Sequence, residues 1–165
     1  MTAIDDKWNE HPWLGAPVDA GAGSDEMPMN DGRGWARDYE NGSIYWTAET
    51  GAHEVHGDIR VKYAQLGGHS GFLGYPETDE WGCPDGRGRF NHFEGGSIYW
   101  RDDIGPHEVH GAIRDLWASM GWETGWLGYP LSDERGSPEK RGSTFQGGTI
   151  TWTPSGGAIA ARNID

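Results

Sequence analysis

The sequence predicts a mainly β protein with short helices, made of three helix-plus-β-hairpin repeats in a closed pseudo-threefold or propeller-like arrangement. A Leu-Gly-x-Pro motif recurs in three copies, which begin at Leu14, Leu73 and Leu127. An aromatic strand motif follows each copy, and it ends at Trp46, Trp100 and Trp152. The last two Leu-Gly motifs lie 54 residues apart, and so do the first two strand motifs. A fixed period of this size is typical of units that are too small to bury their apolar faces alone.

We expect a single domain over residues 1–165, with repeats at about 1–57, 58–111 and 112–165. This length permits one compact domain with its own core. Ten tryptophans supply large buried area in a chain whose apolar content is only 35%. An open solenoid is disfavoured, because it would need polar caps and neither end of the sequence looks like one.

Each repeat begins with a short amphipathic helix. In the third repeat four apolar residues fall at i, i+3, i+4 and i+7, ahead of a glycine that can end the helix. They are Ile113, Leu116, Trp117 and Met120, followed by Gly121. The second repeat keeps Ile59, Tyr63 and Leu66, and the first keeps Ile4 and Trp8. The Leu-Gly-x-Pro turn comes next, where glycine can take positive φ and proline fixes the exit.

A polar loop and a set of short strands complete each repeat. The loops carry adjacent carboxylates: Asp25-Glu26, Asp79-Glu80 and Asp133-Glu134. An Asp-Gly turn at 31–34 and 85–88 leads into a β-hairpin, and a His-Glu-Val-His strand closes the repeat at 53–56 and 107–110. The end copies depart from this pattern. The first has Ala16 for tyrosine and an insertion at 20–23, and the third lacks both Asp-Gly and His-Glu-Val-His.

The charge of the chain excludes several partners. The formal net charge is −13 and the isoelectric point is near 4.8, which argues against nucleic acid and anionic membranes. No apolar run is long enough for a transmembrane helix, so membrane insertion is not expected. Residues 1–6 lack the basic and apolar regions of a signal peptide, so the protein is made without an export signal or the chain begins after one.

The motifs favour binding over chemistry. Cys83 is the only cysteine, which excludes an intrachain disulfide, and no pattern supplies the partners of a nucleophile. The adjacent carboxylates recur by repeat, whereas a hydrolase needs one asymmetric acid–base pair. The histidines of the closing strands lack the helical spacing of zinc proteases. We therefore expect no enzymatic activity, no cofactor and no metal.

Together the motifs resemble the LGFP repeat family over almost the whole chain. The similarity rests on Leu-Gly-Tyr-Pro, Asp-Gly-Arg-Gly, Gly-Ser-Ile-Tyr-Trp and His-Glu-Val, which recur together. Such repeats accompany mycolyltransferase and amidase domains of actinobacterial cell-surface proteins, where they are thought to hold the protein to cell-wall polysaccharide. The resemblance implies an extracellular or cell-wall-associated module. Because this chain has no signal peptide, a cytoplasmic location is the alternative.

Strand alternation predicts which side chains bind. Ile44 and Trp46 share one strand face, so we assign the three repeated tryptophans to a shared core and the tyrosines to the outer face. The same alternation turns Val55 inward and its two neighbours outward. The candidate carbohydrate-binding residues are Tyr45, Glu54, His56 and Arg33 in the first repeat and Tyr99, Glu108, His110 and Arg87 in the second.

These candidates predict a lectin-like function. A tyrosine ring offers a flat apolar face to a sugar, and the polar groups can pair with its hydroxyls. The third repeat has Thr151 at this position, so two sites are expected instead of three. One alternative is a solvated edge strand protected by its charges. For the whole protein the alternative is a protein-interaction or inhibitor module with an acidic aromatic surface. The expected partner is a glycan or cell-wall polysaccharide, and a homo-oligomer is a further option.

Overall fold

A computed structural model of the protein describes residues 1–18 and 26–164. Over these residues the fold is mainly β, with three four-stranded antiparallel sheets and three short α-helices, one of each per repeat. This confirms the predicted class and the threefold repetition. The insertion predicted at 20–23 and the carboxylate of Asp25 lie outside the described residues.

The elements follow the repeat order. The helices are α1 (Ala3–Glu10), α2 (Gly57–Gln65) and α3 (Gly111–Ser119), each followed by a 3-10 turn at Pro12–Leu14, Gly68–Ser70 and Trp122–Thr124. The first sheet contains β1 (Met27–Pro28), β2 (Gly34–Tyr39), β3 (Gly42–Thr47) and β4 (Gly51–Val55). The second contains β5 (Trp81–Gly82), β6 (Arg89–Phe93), β7 (Gly96–Arg101) and β8 (Gly105–His110). The third contains β9 (Arg135–Ser137), β10 (Lys140–Phe145), β11 (Gly148–Thr153) and β12 (Gly157–Arg162). In every sheet the strands are neighbours in chain order.

The chain divides into two compact units. One consists of Met1–Trp81 with Asn91–Glu94, and the other of Gly82–Phe90 with Gly95–Asp165. The organisation as a single domain stays a prediction.

An aromatic residue of each helix fixes the Leu-Gly turn that follows it. The Trp8 indole donates to the Gly15 carbonyl at 2.8 Å. The equivalent bonds run from Tyr63 to Gly74 at 2.7 Å and from Trp117 to Gly128 at 3.1 Å. All three glycines have φ between 69° and 82°, a left-handed conformation that favours glycine. The motif therefore holds the helix against the start of its own sheet.

The isoleucine face of the sheets packs on the helix of the same repeat. In the first repeat α1 contacts β3 and β4, and Ile44 joins Ile4, Leu14 and Tyr39 in one buried cluster. In the third repeat α3 contacts β11 and β12, where Ile150 is fully buried. This face is the core that the alternation predicted.

The tyrosine face is also buried, so its assignment as the outer face is wrong. Tyr99 is only 3% exposed, and its ring meets Trp117 of α3 edge-on at 4.8 Å between centroids. Tyr45 is half-buried and meets Tyr63 of α2 at 5.5 Å. Strand alternation predicted the wrong exposure because the helix of the following repeat covers the tyrosine face of β3 and β7. The tyrosine face therefore packs against a helix as the isoleucine face does.

The three repeated tryptophans are half-buried, like Tyr45 and unlike the buried Tyr99. Trp46 and Trp152 are half-buried and pack at the margins of two separate clusters, around Ile44 and Ile150 respectively. Trp100 is half-buried as well. Their place on the isoleucine face is confirmed for Trp46 and Trp152, but these two do not fill the middle of a core.

A tyrosine–aspartate contact joins each repeat to the next. The Tyr75 hydroxyl donates to Asp31 at 2.8 Å, and the Tyr129 hydroxyl donates to Asp85 at 2.7 Å. The rings lie on the second glycine of the Asp-Gly-Arg-Gly turn, where a Cβ on Gly34 would come within 2.4 Å of the Tyr75 ring. Ala16 stands at the tyrosine position in the first copy, and Glu139-Lys140 stands at the Asp-Gly position in the third.

Candidate functional site

Two of the predicted binding residues, Glu54 and Glu108, are buried instead of facing outward. Glu54 is 1% exposed and lies opposite Ile44 in the β3–β4 register. Glu108 is opposite Ile98 in β7–β8. Each carboxylate therefore lies on the isoleucine face. Because this face is buried, the carboxylate is not exposed to solvent.

The first buried carboxylate belongs to a hydrogen-bond network. Glu54 Oε2 lies 2.6 Å from His56 Nδ1, and Glu54 Oε1 accepts from the Glu80 backbone N–H at 2.8 Å. His56 Nε2 lies 2.8 Å from Glu80 Oε2. Asp79 accepts from the backbone N–H of Glu54 at 3.2 Å and pairs with Lys7 at 2.8 Å. The adjacent carboxylates of the second repeat thus hold the closing strand of the first.

The second copy repeats this geometry. Glu108 Oε2 lies 2.7 Å from His110 Nδ1, and Glu108 Oε1 accepts from the Glu134 N–H at 2.8 Å. Asp133 accepts from the Glu108 N–H at 3.0 Å, and Glu134 also pairs with Arg141. We refer to the two tyrosine–aspartate contacts and the two His-Glu networks as junction residues, because each set links one repeat to the next.

The network keeps His56 charged. Burial alone would lower the pKa of this imidazole, but its hydrogen bonds to Glu54 and Glu80 outweigh burial and raise the pKa from 6.5 to about 9. At His110 the bond to Glu108 likewise raises the pKa against the effect of burial. Both imidazoles have carboxylate partners, so they contribute ion pairs to the junctions.

This charge predicts a pH dependence of stability. A histidine whose pKa is raised on folding stabilises the protein fully below its unfolded pKa, and that contribution disappears as the pH rises through the folded pKa. We expect the free energy of unfolding to fall by about 1–3 kcal/mol between pH 6.5 and 9. In His56→Gln this loss should be clearly smaller. Urea unfolding at a series of pH values measures both, and parallel curves for the two proteins would refute the ion pair.

The predicted residues do not assemble into one site. Glu54 and His56 are in contact, whereas Tyr45 packs against Tyr63 of α2 and near Tyr75. Arg33 pairs with Glu94 at 2.8 Å and lies over the Tyr75 ring at 5.4 Å. In the second repeat Arg87 pairs with Asp102 at 3.1 Å. These side chains are engaged with other groups of the protein.

A surface pocket that the sequence did not indicate lies beside Trp46. Its volume is about 350 Å³, and it is formed by the first turn of α1, the loop before β1 and the strands β2 and β3. The lining residues are Thr2, Ala3, Ile4, Glu26, Trp35 and Trp46. Trp35 and Trp46 are cross-strand partners, so two indoles and one carboxylate face the same cavity.

The third repeat contains the equivalent pocket. It has a volume of about 180 Å³ and is lined by His110, Gly111, Ala112, Ile113, Glu134, Arg141 and Trp152. Trp152 corresponds to Trp46, Glu134 to Glu26, and Arg141 to Trp35, because Arg141 pairs with Trp152 in the β10–β11 register. We refer to these two cavities as the Trp46 pocket and the Trp152 pocket.

The chemistry of both pockets suits a sugar ring. A half-buried indole can stack on the apolar face of a pyranose, while a carboxylate in each pocket can pair with hydroxyls at its edge. The Trp152 pocket adds an imidazole and a guanidinium. Strand alternation did not indicate Trp46 and Trp152 as binding residues, because it assigned the tryptophans to the core. A usable signal was present, because tryptophan persists in all three repeats whereas tyrosine is replaced by Thr151 in the third.

Two further properties bear on the kind of site. Over residues 1–18 and 26–164, no cluster of three or more His, Cys, Asp or Glu side chains is suited to a metal ion. None of the described helices is both long and apolar enough to cross a membrane.

Comparison with known proteins identifies the family. The sequence model of the LGFP repeat matches residues 14–71, 73–125 and 127–163. Each match begins at the buried leucine of a Leu-Gly motif. A comparison with curated proteins gave no match. Because the three matches cover most of the chain, the protein belongs to the LGFP repeat family.

Proposed function

We propose that this protein is a non-enzymatic, lectin-like module that binds cell-surface or cell-wall glycans through the Trp46 and Trp152 pockets. These pockets replace the tyrosine faces as the binding sites. The proposed setting is extracellular or associated with a cell wall, as the family resemblance implies.

The proposal rests mainly on which residues are present in all three repeats and which are not. Junction residues differ between the copies, as Ala16 and the third closing strand illustrate. The tryptophans of the aromatic strand are present in all three copies although they are only half-buried. A large side chain that is not needed for a junction and is not fully buried is a candidate for ligand contact.

The hydrogen bonding of the carboxylates supports binding instead of catalysis. Glu54 and Glu108 accept from a backbone N–H and an imidazole, and both are buried. A general acid or base must reach the substrate. We therefore assign these carboxylates to the junctions and propose no reaction.

The closed, propeller-like arrangement of the three repeats also remains a proposal. It is supported by the 54-residue period and by the covering of the tyrosine face within each compact unit, as Tyr45 and Tyr99 illustrate. A closed array would place similar pockets at fixed separations, which favours avidity on a dense glycan surface.

A glycan array tests the function class. We expect binding that free sugar competes away and that Trp46→Leu and Trp152→Leu both weaken. Trp81→Leu is the matched control, because Trp81 is exposed and lines neither pocket. If no glycan on the array bound and a protein bound with fixed stoichiometry, the proposal would be refuted and the protein-interaction alternative supported.

A further inference from the structure

A second set of aromatic residues is exposed at one fixed position of each repeat, directly before the Leu-Gly motif. Trp13, Phe72 and Trp126 are 46%, 47% and 36% exposed, whereas the leucines that follow them are fully buried. The end repeats keep these residues although they have lost junction residues.

A basic side chain at the end of a sheet accompanies the ring in both end repeats. Trp13 meets the His56 ring edge-on, with 4.5 Å between centroids. Trp126 lies beneath the Arg162 guanidinium, which is 4.2 Å from the ring centroid. Arg162 occupies the position of His56, because Ala161 pairs with Thr149 as Val55 pairs with Ser43.

The two pairs differ in the acidic groups around them. His56 lies against Glu54 and Glu80, and Glu40 accepts from the Ala16 N–H at 3.1 Å. In the third repeat Ala160 replaces Glu54 in the register opposite isoleucine. Gln146 replaces Glu40 and accepts from the Tyr129 N–H at 3.0 Å. The third repeat therefore lacks a counterpart of Glu54, one of the two carboxylates that pair with His56 in the first.

Arg162 is exposed, and within the described part of the chain no carboxylate forms an ion pair with it. A guanidinium stacked on an indole keeps N–H donors in its plane for a planar anion. The indole offers apolar surface beside it. This combination matches a ring that carries a carboxylate.

We propose that Trp126 and Arg162 form a further binding site, separate from the two pockets, which takes a uronate residue of an acidic glycan. The indole contacts the sugar ring and the guanidinium pairs with its carboxylate. Trp13 with His56 does not share this preference, because Glu54 and Glu80 neutralise the imidazole. The site has no lining residue in common with the Trp152 pocket, so the two proposals fail independently.

Titration with glucuronate, galacturonate and mannuronate trimers tests this site, each against its carboxyl-reduced neutral counterpart. We expect at least one charged trimer to bind more tightly than its neutral form, and less tightly as salt rises. Arg162→Gln should weaken that binding about three- to tenfold, and Trp126→Ala at least as much. Arg162→Lys should restore it only in part, because lysine lacks the planar fork.

Two controls keep the test specific. Arg135→Gln removes an exposed arginine of the same sheet, and Trp13→Ala removes the equivalent ring of the first repeat; neither should change uronate binding. Trp152→Leu should spare it as well. Equal affinity for every charged and neutral pair, or an Arg162→Gln effect no larger than that of Arg135→Gln, would overturn the proposal.

Discussion

Glu54→Ala is expected to lower the free energy of unfolding by about 3–5 kcal/mol. The carboxylate is buried, and its removal leaves a charged His56 and the Glu80 N–H without their closest acceptor. A buried donor that is left without an acceptor costs free energy. Urea unfolding followed by tryptophan fluorescence measures the change.

Two variants separate the network from a general effect of charge. Glu54→Gln keeps an oxygen for the Glu80 N–H and should lose clearly less stability than the alanine variant. Glu49→Ala removes a carboxylate whose side chain is 67% exposed and should change stability by less than about 0.5 kcal/mol. If Glu54→Ala were as mild as Glu49→Ala, the junction would not depend on the network.

Tyr99→Ala is expected to cost about 3–5 kcal/mol, the range for deleting a buried aromatic side chain. Its ring stacks on Phe90 at 4.9 Å between centroids and meets Trp117 and Tyr129 at 4.8 and 6.5 Å. Alanine leaves a cavity where the β7 sheet face packs on α3. Thermal unfolding or urea unfolding gives the value.

The third repeat supplies the matched control for this variant. Thr151 occupies the position of Tyr99 and is only half-buried, so Thr151→Ala should change stability by less than about 0.5 kcal/mol. Equal effects at the two positions would mean that the tyrosine face is not a core in the second repeat.

The repeat period predicted most of the fold, because identical motifs must form similar units. Helix stripes such as Ile113 and Trp117, and the hairpin with its Asp-Gly turn, follow from local periodicity and turn chemistry. Burial of Tyr45 and Tyr99 was not predictable in the same way. Alternation assumes one covered face per strand, and only the packing of the next helix reveals the second.

The candidate site depended on the same assumption. Glu54 and His56 look like polar groups on an exposed strand until the loop at Asp79 and Glu80 covers them. The departures of single copies held part of the missing information, since Ala16 and Thr151 stand where the other copies have tyrosines that pack on other repeats. Trp46 and Trp152 do not vary in this way, and this difference separates binding candidates from junction residues.

Calorimetry with a monovalent sugar that the array identifies tests directly whether the two tryptophan pockets bind the glycan. We expect Trp46→Leu and Trp152→Leu each to remove one binding site and the double variant to remove two, while the unfolding midpoint confirms that each protein is folded. Tyr45→Phe should leave the number of sites unchanged. An unchanged number of sites in the double tryptophan variant would contradict the assignment of binding to these pockets.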